Sequence, residues 1–239
     1  MNKDKVIDIP KLQERIRKHK ACRGYGYVLK DGALAECSCR VSALFEYRLV
    51  RSHIPDRYRK LGFNDFMHKD SAAYRGVQSY LADSEKHRRE GIGLFIWGDS
   101  HTGKSLLATS LLMELLRKGN NCRFEYFGGL MTIRDKEIYT APDFLCIDDF
   151  GIGLNGLSNF RDGVLTGERV NGGVEFLTQI VAHRVNSGSP VIVVSEVPIA
   201  TINNVFPHLA SPLIGNCIQL HCEDKGFKTK RINQMMEGG

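Results

Sequence analysis

Leu94-Phe95-Ile96-Trp97-Gly98-Asp99-Ser100-His101-Thr102-Gly103-Lys104-Ser105 runs four apolar residues into a polar loop framed by glycines. From Gly98 to Ser105 the loop fits G-x-x-x-x-G-K-[ST] at every fixed position. The glycines let successive backbone N–H groups turn inward into an anion-binding nest. Lys104 is placed to reach the β- and γ-phosphates of a nucleoside triphosphate, and the Ser105 hydroxyl to ligate magnesium. Asp99, Ser100, His101 and Thr102 supply the intervening backbone. Leu106, Leu107, Leu111 and Leu115 follow at helical spacing, so the loop sits between a strand and a helix whose positive end faces it.

A second stretch completes such a site. Phe144-Leu145-Cys146-Ile147 reads as a buried strand with Asp148-Asp149 at its C-terminal end, where open α/β sheets bind ligands. Asp148 is expected to hold magnesium through water, and Asp149 to orient or deprotonate an attacking water. Further apolar runs at Cys122–Phe127, Val191–Val194 and Cys217–Leu220 alternate with helical patterns at about 103–118, 172–187 and 199–206. This alternation predicts an α/β fold with a mostly parallel sheet covered on both faces. Upstream, residues 11–20 read as a short basic helix and 41–52 as an amphipathic one. A single helix is expected from Ser71 to about Arg89.

The 239 residues carry a formal charge of +6, unevenly spread. Residues 1–90 hold 20 Lys and Arg against 12 Asp and Glu; residues 91–239 hold 13 against 15. The basic half suits either nucleic-acid phosphates or a solvated lysine-rich surface. No apolar run approaches the ~20 residues of a membrane span, and Met1 to Lys20 lacks the apolar core of a signal peptide. A cytoplasmic protein is expected. Seven cysteines, an odd number, argue against a disulfide framework.

With both motifs in place, residues about 54–239 resemble the AAA+ ATPases of the DnaC/DnaI type, replicative helicase loaders of bacteria and phages. Transposition ATPases of the IstB type share that core. Ile54-Pro55-Asp56-Arg57-Tyr58 with Phe63-Asn64-Asp65-Phe66 resembles the family's entry segment, and Asp148-Asp149-Phe150-Gly151 its acidic signature. Val174 to Arg184 and Pro190 to Ser195 resemble its arginine-ended helix and fourth core strand. The resemblance implies a three-layer AAA+ fold with sheet order 5-1-4-3-2 and self-association with nucleotide at subunit interfaces. The change to strand–helix alternation places a domain boundary near residue 68, and with the resemblance 1–68 reads as an N-terminal helicase-interaction module with linker and 69–239 as an ATPase domain.

Loaders of this kind often begin with C-x-x-C-x-G-x-G followed by C-x-C-R. Here His19 stands in place of the first cysteine, followed by Cys22, Gly24 and Gly26, then Cys37-Ser38-Cys39-Arg40. His19, Cys22, Cys37 and Cys39 form a chemically sound zinc set; the alternative is three reduced cysteines beside an unrelated histidine. Cys122, Cys146, Cys217 and Cys222 read as small core residues.

Two positions depart from the pattern. Where the family has Thr-Ser-Asn at the end of the fourth strand, this chain has Val194-Ser195-Glu196, which leaves the polar role toward phosphate to Ser195. Where a trans-acting arginine is expected, Ser211-Pro212-Leu213 places a proline. An arginine finger is worth 10³–10⁵ in rate, so the expectation is ATP binding with weak or complex-dependent hydrolysis, unless Lys225, Lys228, Lys230 or Arg231 substitutes. Arg161 and Arg169, in the glycine-rich Gly151–Asn171 segment, meet DNA backbone, a neighbouring subunit or solvent. The leading reading is a loader that delivers a replicative helicase to single-stranded DNA. An IstB-type transposition ATPase and a phage-encoded helicase-binding decoy are the alternatives.

Overall fold

The computed structural model describes residues 9–130, 137–150 and 168–223. Gly151 to Gly167 with Arg161, the side chain of Arg169, and the four C-terminal cations therefore lie outside the described residues. The chain divides into two compact units, Met1–His53 and Ile54–Gly239.

The first unit begins with α1 (Ile9–Arg17) and a 3₁₀ turn at Lys20–Cys22. A hairpin of β1 (Tyr27–Lys30) and β2 (Ala33–Glu36) and a long helix, α2 (Ser38–Arg51), complete it. Sequence periodicity located both helices but not the hairpin, because its four-residue strands show no clean apolar alternation. What makes the hairpin is its turn. Asp31 and Gly32 both take positive φ, 50° and 78°, as a two-residue turn matched to strand twist requires. The described apolar core of this unit is confined to Cys22, Cys37 and Ala43.

The second unit opens with α3 (Asp56–Arg59) and a 3₁₀ turn at Phe63–Asp65, both packed on a later helix, α6 (Lys104–Arg117). Ile54 and Phe66 are fully buried. That burial is why the compact units part at 53/54, nearer the N-terminus than the boundary expected at residue 68. The single helix expected from Ser71 is two, α4 (Ala72–Ala82) and α5 (Ser84–Glu90). Asp83 leaves helical geometry between them (φ −94°, ψ 17°). Lys118 caps the break, donating to the Leu81 carbonyl at 2.6 Å and to the Ser84 hydroxyl at 2.9 Å.

The core of this unit is a sheet of five parallel strands: β3 (Gly93–Trp97), β4 (Cys122–Tyr126), β5 (Phe144–Phe150), β6 (Val191–Ser195) and β7 (Cys217–His221). Its order is β4-β5-β6-β3-β7. Numbered within this sheet and read from the β7 edge, that is 5-1-4-3-2. Side chains alternate between the two faces. Phe95, Leu145, Ile147, Val191 and Val193 join one cluster with α8 (Glu168–Asn186), α9 (Ile199–Val205) and α10 (Pro207–Asn216). The other face carries α4 and α6. A short helix, α7 (Glu137–Thr140), packs on α8. Cys122, Cys146 and Cys222 are buried, as expected of core residues, and Cys217 is half-buried.

Arg184 is fully buried, and its guanidinium bridges chain segments distant in sequence. It donates to the carbonyls of Pro190, Tyr139, Pro142 and Asp143 at 2.8–3.1 Å. Burial pulls its pKa down to about 10, against the opposing pull of Asp143. The arginine that resembled a family signature is here a clamp joining the end of α8 to the entries of β5 and β6.

Candidate nucleotide site and metal cluster

Strand β3 delivers the loop to the C-terminal edge of the sheet. Gly98 is where the chain turns, and only glycine fits there: a Cβ would lie 2.2 Å from the Cys222 carbonyl oxygen. His101 takes positive φ (68°), and α6 begins at Lys104 with Gly103 as its cap. The Thr102 hydroxyl and the Lys104 ammonium both donate to the Asp99 carbonyl, at 2.9 and 2.7 Å. Lys104 is buried, which lowers its pKa. Glu196, Asp148 and Asp149 oppose that shift, so a cation stands ringed by acidic groups.

The two aspartates sit in a bulge. Ile147 pairs with Val193 and Phe150 with Ser195, so Asp148 and Asp149 face one residue of β6. Asp149 adopts φ 61°, a strained conformation away from glycine. Asp148 is fully buried; its Oδ1 accepts from the Asp149 N–H at 2.9 Å, while Oδ2 has no hydrogen-bond partner among the described residues. Burial, then the Asp149 charge, pushes its carboxyl up to about 6, with the Ser105 hydroxyl opposing. An unsatisfied buried carboxylate oxygen beside a serine hydroxyl at the loop is a donor set that fits a hard divalent cation. Asp149 is also raised by burial, with the Arg57 charge opposing and Glu196 reinforcing.

Three placements escaped the sequence. Ser195, expected to face phosphate, is buried and spends its hydroxyl on its own turn, donating to the Val197 carbonyl at 2.8 Å and accepting from the Val197 N–H at 3.0 Å. Glu196 instead faces the loop and accepts from the Ser100 hydroxyl. Arg57 and Tyr58 gather at the same end: Arg57 bonds the Tyr126 hydroxyl at 2.7 Å, and Tyr58 interacts with the Ser105 hydroxyl. No motif links residues 57 and 126 to a loop at 98–105. Pro212 lies inside α10.

In the first unit, His19, Cys22, Cys37 and Cys39 converge, their ligand atoms all within 4.8 Å of one another. Cys22 Sγ lies 3.6 Å from His19 Nδ1 and 3.6 Å from Cys39 Sγ, and Cys37 Sγ lies 3.4 Å from His19 Nδ1. A tetrahedron built on zinc bond lengths of about 2.0–2.3 Å separates its ligands by about 3.5–3.8 Å. The donor set fits that ion. The 3₁₀ turn supplies Cys22, and the start of α2 supplies Cys37 and Cys39.

The glycine-framed loop thus sits at the C-terminal edge of a five-stranded parallel sheet, with two acidic residues on the strand next but one to β3. Solved structures carry the same fold. The chain matches the crystal structure of DnaI (14% identity, TM-score 0.57, 74% of this chain and 95% of that one). It matches the crystal structure of the DnaC helicase loader (16% identity, TM-score 0.55, 70% and 99%). It also matches AMPPCP-bound DnaA from Aquifex aeolicus (20% identity, TM-score 0.53), covering 78% of this chain and 56% of that one. At these identities the likeness is one of fold. No family model and no curated protein matches the sequence.

Proposed function

We propose that this chain is an ATP-binding protein of DNA replication that loads a replicative helicase onto single-stranded DNA. The observation that carries the reading is the loop itself: Lys104 held over the Asp99 carbonyl, with Ser105 beside the unpartnered oxygen of Asp148. Gly98, Asp99, Ser100, His101, Thr102 and Gly103 form the backbone cradle, and Lys104 meets the β- and γ-phosphates. Ser105 and Asp148 hold magnesium, which when bound neutralises phosphate charge. Asp149 is the group that orients or takes a proton from water. Fold likeness to DnaI and the DnaC helicase loader supports the replication role. His19, Cys22, Cys37 and Cys39 hold zinc in a module that contacts the helicase, and the ATPase unit self-associates and follows the DNA backbone.

Slow turnover belongs to this reading. Glu196 occupies the position where the resemblance leads one to expect asparagine, and it engages Ser100 rather than leaving the loop to phosphate alone. The same contact supports a second reading, a helicase-binding decoy that holds nucleotide without productive hydrolysis. The test is three measurements on the full chain: binding of a fluorescent ATP analogue, co-purification with a replicative helicase, and transfer of that helicase to single-stranded DNA. Binding without transfer selects the decoy. Strong assembly on duplex DNA without helicase binding selects the IstB-type alternative, and rapid turnover by the isolated chain refutes the slow-hydrolysis claim.

A further inference from the structure

Asp148, Asp149 and Glu196 all act on Lys104, so the phosphate end of the site is rich in negative charge before any nucleotide arrives. A triphosphate adds more. A second cation at this end would therefore matter, and the fold brings one there from a segment far upstream in sequence.

Three contacts place Arg57. Its helix, α3, packs on α6, the helix that starts at the phosphate loop. Its Nη2 donates to the Tyr126 hydroxyl at 2.7 Å, and Tyr126 stands directly opposite Asp148 in the β4–β5 ladder. Its guanidinium lies over the Tyr58 ring, 4.7 Å from the centroid, and Tyr58 in turn interacts with Ser105. Both tyrosines are neutral. They orient the charge, and Asp149 is the acidic group that acts on it.

We propose that Arg57 is a phosphate-binding residue of the nucleotide site, acting in cis on the terminal phosphate of a nucleoside triphosphate. The inference rests on the nucleotide-binding reading above. Pro212 has no charge to lend to a neighbouring subunit, and Arg57 supplies the cation from the same chain that holds the nucleotide. A planar guanidinium fixed by two aromatic hydroxyl-bearing rings suits bidentate capture of a phosphoryl group. The contact discriminates the triphosphate from the diphosphate, which lacks the group Arg57 takes.

Arg59, two residues on, is the internal control. Its Nε donates to the Ile54 carbonyl at 2.8 Å and its guanidinium pairs with Asp56 at 3.1 Å, so it is committed to local structure.

The test compares affinities for magnesium-AMPPCP and magnesium-ADP in the full-length wild type, Arg57→Ala, Arg57→Lys and Arg59→Ala. Arg57→Ala should weaken AMPPCP binding about tenfold or more and ADP binding less than about threefold. Arg57→Lys should recover part of the loss, and Arg59→Ala should lower the melting temperature while leaving the AMPPCP-to-ADP ratio intact. An unchanged ratio in Arg57→Ala, with wild-type binding of both nucleotides, overturns the role of Arg57 alone. A wild type that binds neither nucleotide overturns the nucleotide-binding reading and this inference together.

Discussion

The two units of the chain differ in how much apolar surface they bury and, on the proposed zinc reading, in what stabilises them. The first buries only Cys22, Cys37 and Ala43 among its described apolar residues, whereas the second closes a sheet between two helical layers around residues such as Phe95, Ile147, Leu177 and Val193. A unit of some fifty residues with so small a core cannot offset its chain entropy by burial alone. With zinc bound as proposed, four converging ligands would, because metal binding to an otherwise unfolded site is folding free energy. The second unit needs no such staple. A small module can thus be rigid without being greasy, provided its rigidity is concentrated at one point.

The comparison breaks first at the metal. Removing zinc with a chelator, or Cys37→Ser, should unfold α2 and the hairpin while the second unit keeps its cooperative melt. The loss corresponds to about 10–16 kcal/mol of binding free energy. Hydrogen exchange resolved by residue would check it, and a first unit still protected after chelation would end the contrast.

Next comes the clamp in the second unit. Arg184→Ala strands several buried carbonyls and should cost about 3–5 kcal/mol, read as a lower urea midpoint. A cost below about 1 kcal/mol would show that the sheet does not depend on it.

Lys104→Ala separates binding from stability. It removes charge-assisted bonds worth about 1.5–3 kcal/mol each to phosphate, so ATP affinity should fall roughly a hundredfold. The nucleotide-free protein should melt no lower, since it no longer holds a buried ammonium. A variant that binds ATP normally would contradict the loop's assignment.

Asp148 gives the pH dependence. Its carboxyl is raised to about 6, so the folded chain keeps a proton that the unfolded chain releases near the ordinary value of 3.8. This group's contribution to stability is full below that ordinary value and is lost as pH rises through about 6, at most about 3 kcal/mol. Magnesium-dependent nucleotide binding should run the other way and weaken as pH falls below about 6. Asp148→Asn should flatten both trends. Smallest is Gly32→Ala in the hairpin turn, where φ is 78° and nothing crowds a Cβ: about 1 kcal/mol, confined to the first unit.

Much of this was legible beforehand where residue type dictates structure locally. Leu94–Trp97 and Val191–Val194 are strands because continuous apolar runs of that length have no other place than a covered sheet. The loop declared itself through fixed glycines and Lys104. Less visible were features whose cause lies elsewhere in the chain. The α4–α5 break at Asp83 carries no glycine or proline, and its stabilising donor, Lys118, comes from beyond the phosphate loop. Helix α10 lies outside the helical patterns read from the sequence: Pro207 opens it, where a missing N–H costs nothing, and Pro212 is carried inside it. At the site, the apolar-to-acidic transition located Asp148 and Asp149 but could not show the bulge that aims them. Nor could it show that Ser195 turns back on Val197 while Glu196 turns toward Ser100. Those outcomes depend on hydrogen bonds that no spacing rule encodes.

Arg184 also ties the starts of two strands together. Its bonds tie the carbonyls just before β5 and β6 to the end of α8, at the edge of the sheet opposite the phosphate loop. One rim of the sheet is thereby pinned, and the other carries the strained Asp149 and the Glu196–Ser100 contact. Phe144 and Val191 therefore enter the sheet from carbonyls that a single side chain holds together, and the two strands share one anchor at their N-terminal ends.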